Sequence, residues 1–331
     1  MNNPHLTDYV HTLCTLFDRF LQADPAYASQ RFTYSHQKII VLFTVLQFRR
    51  IFQFKAQWRW LCEHPELRTV LGWERVPHRT TLSRRYKQLY PVVQAFVQFV
   101  GQYAATLDER FRPKHLVADK SPFKARGPVW YQSDRQAGRR PAKLRHLDTD
   151  ATWTKSGYQG WVYGYGLHIT CNDAAFPALV QVETGSVAET EVIDEQETVI
   201  LHQLRPQTVA ADNSYAQARR IRRWAQAGVA LLSPAYKWRK GCYAQAYHRY
   251  RKLEANAERL RHRRTTIEPL FDLVAKVIGT TARQKQLPVK GSSNIRTCLA
   301  LATLSVQLAM IINSIWGLPL RNISTITAAL A

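Results

Sequence analysis

Two short apolar runs in the sequence end on a bare carboxylate: HLVADKS at Asp119 and TVAADNS at Asp212. A third acid, Glu268, stands in RHRRTTIEPLFDLVAKVIG among Ile267, Leu270 and Phe271, flanked by Arg263, Arg264 and Lys276. An acid on the semi-buried face of a basic helix needs a partner, because an unpaired buried charge is costly, and a metal ion would supply one. Three carboxylates with no His or Cys cluster suit hard, oxygen-preferring cations, Mg2+ or Mn2+. Two such ions polarise a phosphodiester, generate hydroxide from water and stabilise the leaving oxygen, while surrounding cations hold a nucleic-acid backbone. The blander reading is that each Asp caps the next helix or opens an Asx turn. Two of them, on strands that can be neighbours, weaken that default, since an acid past a strand's C-terminal end faces the crevice where open α/β sheets place ligands.

The elements that must position these acids follow from local pattern. HLVA before Asp119 reads as a strand; GWVYGYGLHITCN alternates and is aromatic and β-branched; FPALVQVETG is a third strand. AETEVIDEQETVILHQL predicts an amphipathic helix with its acids at the start, where the helix dipole favours them. PQTVAAD is a fourth strand, SYAQARRIRRWAQAG a helix carrying Arg219, Arg220, Arg222 and Arg223, and VALLSP a fifth strand. Those arginines either meet phosphates or face solvent. The order β-β-β-α-β-α-β followed by helices predicts an α/β fold with a mixed sheet. Thr149–Gly157 reads as polar and irregular, and Trp130–Asp150 as a solvated basic loop.

Residues 1 to about 105 read as helical. Ser35 is a plausible cap for a helix through Phe52, and a second helical stretch from Phe54 stops at Gly72. Pro77 breaks the chain, Thr80 or Thr81 can cap, and a basic helix follows with Arg84, Arg85 and Lys87. That is the outline of a helix-turn-helix near residues 73–90; an ordinary bundle with a solvated charged face stands beside it. The apolar stretch Cys298–Pro319 is long enough to span a bilayer. It contains Thr303, Ser305, Gln307, Asn313 and Ser314, and is read as a buried helix.

Composition supports a polyanionic partner. Lys plus Arg number 46 against 24 Asp plus Glu, a net charge of +22, in a chain whose 46% hydrophobic content and nine Trp describe a packed fold rather than a disordered one. Nucleic acid leads, and an anionic membrane surface comes second. Five scattered Cys without a CxxC argue against a disulfide framework or zinc ribbon and fit a reducing cytosol. The first thirty residues lack the basic start and apolar run of a signal peptide.

VADKSPF, VAADNSYAQARRI and RRTTIEPLFDLVAK resemble, in order, the three acidic motifs of bacterial insertion-sequence transposases of the DDE type, and YGYGLHI resembles that family's second core strand. The resemblance covers about residues 111–315. It implies a ribonuclease-H-like mixed sheet flanked by helices over 111–331; the residue pattern itself adds a short basic insertion near 233–255 and an all-helical N-terminal domain over 1–110. The resemblance also implies that Asp119, Asp212 and Glu268 are the catalytic, metal-binding triad for two Mg2+ or Mn2+ ions. Arg263, Arg264 and Lys276 would lie along the DNA. The implied activity is recognition of terminal inverted repeats in double-stranded DNA, hydrolysis at the element ends and strand transfer into target DNA. A homodimer would pair the ends in the cytoplasm, without a membrane. The last motif departs from one branch of the family: Arg261 stands at its Tyr position, and Lys276 comes one place late, after Ala275. In SPAYKWRKGCYAQAYHRYRK, Lys237, Trp238, Arg239 and Lys240 can grip DNA, with Trp238 stacking on a base; a surface loop with one packed Trp is the plainer reading. A nuclease on the same fold and a transposase-derived DNA-binding protein without catalysis are the alternatives.

Overall fold

The computed structural model describes residues 4–29, 32–139, 146–235 and 237–330. Six helices come first: α1 (Pro4–Ala23), α2 (His36–Phe48), α3 (Phe54–Glu63), α4 (Pro65–Val70), α5 (Arg79–Gln88) and α6 (Tyr90–Tyr103). The Ser35 side chain caps α2 by accepting a hydrogen bond from the Lys38 N–H, one of the amides a helix start leaves without a partner. α2 stops at Phe48, short of Phe52, where Arg50 takes a left-handed φ of 57°. The stretch expected to run to Gly72 is split at Pro65, which has no N–H to continue α3 and instead occupies the first turn of α4. α5 is capped by neither Thr80 nor Thr81: the His78 side chain accepts from the Thr80 N–H. Residues 71–78 join α4 to α5.

The second part contains β1 (His115–Lys124), α7 (Gln132–Gln136), β2 (Thr152–Ser156), β3 (Gly160–Asn172), β4 (Pro177–Thr184), α8 (Glu189–Thr198), β5 (Thr208–Ala210), α9 (Ala218–Gln226) and β6 (Ala230–Leu232). Four helices follow: α10 (Cys242–Lys252), α11 (Glu254–Val277), α12 (Ser292–Ile315) and α13 (Ile323–Leu330). β3 is antiparallel to β1, β2 and β4, whereas β5 is parallel to β1 and β6 is parallel to β5. This antiparallel set continued by two parallel strands, with helices around it, is a ribonuclease-H-like mixed sheet.

Two elements differ from the local reading. β1 does not end at Asp119. β3 supplies antiparallel partners as far as Lys124, while the parallel pairing with β5 covers only His115–Val117. Thr152–Ser156, read as irregular, pairs with Gly160–Gly164 as an edge strand, where polar side chains are compatible with one solvated face. Of the basic loop, Gln132–Gln136 forms α7, and residues 140–145 lie outside the described residues.

Alternation along the strands divides the core. Leu116 and Ala118 of β1, Val209 of β5 and Leu231 of β6 pack in one cluster with Ile193 of α8 and Ile221 and Trp224 of α9. Val117 and Phe123 of β1, Ala210 and Leu232 join the other, with Ile267 and Phe271 of α11 and the length of α12. α12 is apolar on all sides and buried on all sides, as the sequence predicts, and its buried polar side chains donate to nearby carbonyls. Thr303 and Ser305 donate to carbonyls one turn back, and the Gln307 amide donates to Val97 O at 2.9 Å and Pro177 O at 2.8 Å, tying α6 to β4. α6 approaches β4 so closely that a Cβ on Gly101 would stand 2.6 Å from the Ala178 carbonyl oxygen, so only glycine fits there.

Candidate active site

Val117 of β1 pairs with Ala210 of β5, and both belong to the core cluster on the α11 side. Side chains repeat with a period of two, so Asp119 and Asp212, each two residues further along its own strand direction, emerge on that same side of the sheet. α11, which carries Glu268, packs against β1 and β5 on this side. Its Ile267, Leu270, Phe271 and Val274 are buried and Glu268 is exposed.

Asp119 is held by the Lys120 N–H, 2.8 Å from its Oδ1. Burial raises its pKa to about 7; the Lys120 N–H offsets part of this, the neighbouring Glu189 and Asp212 carboxylates push it further up, and Arg263 pulls it down. Asp212 also fulfils the plainer reading. Its Oδ1 accepts from the Ser214 N–H at 2.7 Å and from the Ser214 hydroxyl at 2.5 Å, capping the turn Asn213–Tyr215. The Ser214 hydroxyl also contacts the Glu189 carboxylate. Burial raises the Glu189 pKa, Ser214 offsets it, and Asp212 adds repulsion.

Asp119 and Asp212 therefore stand close enough for their charges to interact, and a third acid, Glu189 at the start of α8, joins them. Glu268 is brought to the same side but stays in solvent. Among the described residues no group of three His, Cys, Asp or Glu side chains stands ready to hold an ion. The donor chemistry nevertheless fits a hard divalent cation: all the groups are carboxylates, and Asp119 carries a burial cost, only partly offset by Lys120 N–H and Arg263, that a cation would relieve. Signals for Glu189 and Ser214 were present in the sequence, as a first-turn acid and as the serine two residues after Asp212, but neither is distinctive alone.

Lys285 is a further residue that the local pattern does not disclose. Its ammonium donates to Ser121 Oγ at 2.7 Å. Burial lowers its pKa, and Asp272, Glu268 and Asp119 attract its charge. Lys120, next to Asp119, points the other way and donates to Gly185 O at 2.9 Å and Val187 O at 2.8 Å.

The arginines of α9 divide between packing and solvent. Arg220 is 1% exposed and pairs with Asp194 at 2.8 Å while donating to Tyr215 O and Thr190 O. Arg223 pairs with Glu197 at 2.5 Å and Asp194 at 3.5 Å. Half of the arginine run thus clamps α9 onto α8. Arg219 and Arg222 are exposed.

Of the other basic residues, Arg263 is half-buried near Asp119, and Arg264 and Lys276 are exposed. Ala275 is fully buried, so the core excludes a lysine there and the next position carries it. Lys237, Arg239 and Lys240 are exposed, whereas Trp238 is half-buried with its ring 5.5 Å from that of Tyr247. On α5, Arg84 and Lys87 are exposed. Arg85 is 3% exposed: it donates to Tyr34 O at 3.3 Å and His36 Nδ1 at 3.0 Å and lies over the Phe32 ring.

The model of the transposase DDE domain family matches residues 110–287, just over half of the chain and all three of the acids singled out above. No curated protein and no solved structure matches the chain.

Proposed function

From the premise that this chain belongs to the transposase DDE domain family, we propose that it is the transposase of an insertion sequence, a mobile element whose terminal inverted repeats it binds as double-stranded DNA. Asp119, Asp212 and Glu268 would hold two divalent ions, Mg2+ or Mn2+. Ions so placed supply Lewis acidity and a nucleophilic hydroxide at neutral pH. The observation that supports this reading is the parallel pairing of β1 with β5, in which Val117 and Ala210, each two residues before an Asp, are partners and α11 packs against both strands.

The chain's own residues then have separable tasks. Ser214 fixes the orientation of Asp212 and Lys120 N–H that of Asp119. Arg264 and Lys276, exposed on the helix of Glu268, and Lys237, Arg239 and Lys240 near α10 contact backbone phosphates, while Arg263 supports Asp119. On α5 the phosphate contacts fall to Arg84 and Lys87. In-line hydrolysis frees a 3′-hydroxyl at the element end, which then attacks target DNA, and two copies of the chain pair the two ends in the cytoplasm on chromosomal or plasmid DNA. The helical region 1–110 reads the element end and 111–331 carries the chemistry.

The test incubates purified protein with labelled element-end DNA and Mg2+, Mn2+ or chelator, alongside Asp119→Asn. Metal-dependent nicking and joining by the wild type is expected, with the variant losing more than the roughly 10–100-fold typical of outer-shell partners. Nicking retained by Asp119→Asn contradicts the assignment. Binding without cleavage points to a DNA-binding protein, and cleavage without joining to a nuclease.

A further inference from the structure

We propose that the Lys285 ammonium grips a non-bridging oxygen of the scissile phosphate beside Asp119, as a catalytic cation supplied by the protein; this rests on the transposase reading above. Lys285 lies on a segment welded to the end of β1. The Lys124 N–H donates to Lys285 O at 2.8 Å, the Leu287 N–H donates to Lys124 O at 2.9 Å, and the Gln286 amide donates to Ala125 O at 2.6 Å. The backbone of Lys285 is left-handed, φ 42°, a conformation that is unfavourable for a non-glycine residue and persists only where its surroundings enforce it. Its ammonium therefore comes from a rigid support.

That support aims it at the acids. The ammonium donates to Ser121 Oγ, and Ser121 follows Asp119 by two residues on the same strand, hence on the same side of the sheet. The rings of Phe123 and Phe271 lie 5.8 and 5.6 Å from it and form apolar walls. Among the described residues Lys285 forms no ion pair, although Asp119, Glu268 and Asp272 are near enough to attract it. An ammonium has three donors, so one hydroxyl partner leaves two to address an anion. The side chain is only half-buried, and a strand of DNA laid over Asp119 can reach it. Lysine binds phosphate as a point charge, and a fixed cation where charge accumulates on phosphoryl oxygens lowers the barrier. Lys285 keeps its proton throughout; it holds charge and transfers nothing.

Single-turnover nicking in Mg2+ tests this with wild type, Lys285→Met and Lys285→Arg. The substrates are ordinary element-end DNA and the two methylphosphonate diastereomers at the scissile position. On ordinary DNA, Lys285→Met should nick about 100–1,000-fold more slowly, with DNA affinity nearly unchanged and partial recovery in Lys285→Arg. One diastereomer should slow the wild type yet add little to Lys285→Met, because the contact it removes is already gone. Equal slowing of wild type and variant by both diastereomers, or nicking by Lys285→Met at the wild-type rate, overturns the proposal while leaving the transposase reading intact. A wild type that nicks in neither Mg2+ nor Mn2+ overturns both. If Lys285→Met does not fold, judged by its thermal midpoint, the diastereomer comparison between wild type and Lys285→Arg decides, since a moved charge must change the preference between them.

Discussion

Arg84, Arg85 and Lys87 share one turn of α5 and meet different surroundings. Arg84 and Lys87 stand in solvent, while the Arg85 guanidinium is folded against Tyr34, His36 and Phe32. Replacing Arg84 or Lys87 by Ala should flatten the log–log salt dependence of DNA binding by about 0.9 each, one released phosphate contact apiece. Arg85→Ala should leave that slope unchanged and lower the unfolding midpoint instead; a slope change in Arg85→Ala, or none in the other two, contradicts this assignment. The burial of Arg85 had a legible signal. Leu82, Arg85, Tyr86 and Leu89 are all buried at helical spacing, so the arginine lies on the apolar stripe. Arg220, one turn before the buried Trp224, lies on such a stripe in α9.

At the scale of elements, the β1–β3 ladder carries both the site and a cost. Lys120 is paired in register with His168, which is 3% exposed and, among the described residues, has no hydrogen-bond partner for either ring nitrogen. Burial, helped by the Lys120 charge, lowers the His168 pKa from 6.5 to about 3. The unfolded chain therefore takes up this proton first. The associated stability is fully present above pH 6.5 and is lost as pH falls from there toward about 3, at about 1.4 kcal/mol per pH unit. Urea midpoints measured between pH 7 and pH 5 should fall less steeply in His168→Asn than in wild type; parallel slopes would rule out His168 as the source. The strands of this ladder were legible because alternation and β-branching are local. The length of β1 and the existence of β2 were not, because both depend on partners in β3 that no window around Asp119 or Thr152 contains.

For the molecule as a whole, α12 is the keystone. It packs against α1, α2, α5, α6, α11, α13 and β4, and its hydrogen bonds reach Tyr86 O, Val97 O and Pro177 O. One hydrophobic cluster runs from α1 through α12 to the sheet, so the helical N-terminal part and the sheet should unfold together. Leu301→Ala, fully buried in α12, should cost about 2–5 kcal/mol and shift a single transition seen alike by tryptophan fluorescence and far-UV circular dichroism. Two separate transitions would contradict a shared core. The burial of α12 was readable from its own composition; its partners in α6 and β4 were not, since Val97 and Pro177 lie 210 and 130 residues from Gln307 in the chain. Separation in the chain likewise hides the relation of Glu268 and Lys285 to Asp119. Motif order named the three acids, but only the packing of α11 on the sheet decides whether they converge. Diffraction at the manganese edge from crystals soaked in Mn2+ tests that convergence most directly. Anomalous density bounded by Asp119, Asp212 and Glu268, and absent from Asp119→Asn crystals, is the predicted result. Ions held between Asp212 and Glu189 with Glu268 still in solvent, or no bound ion, would contradict it.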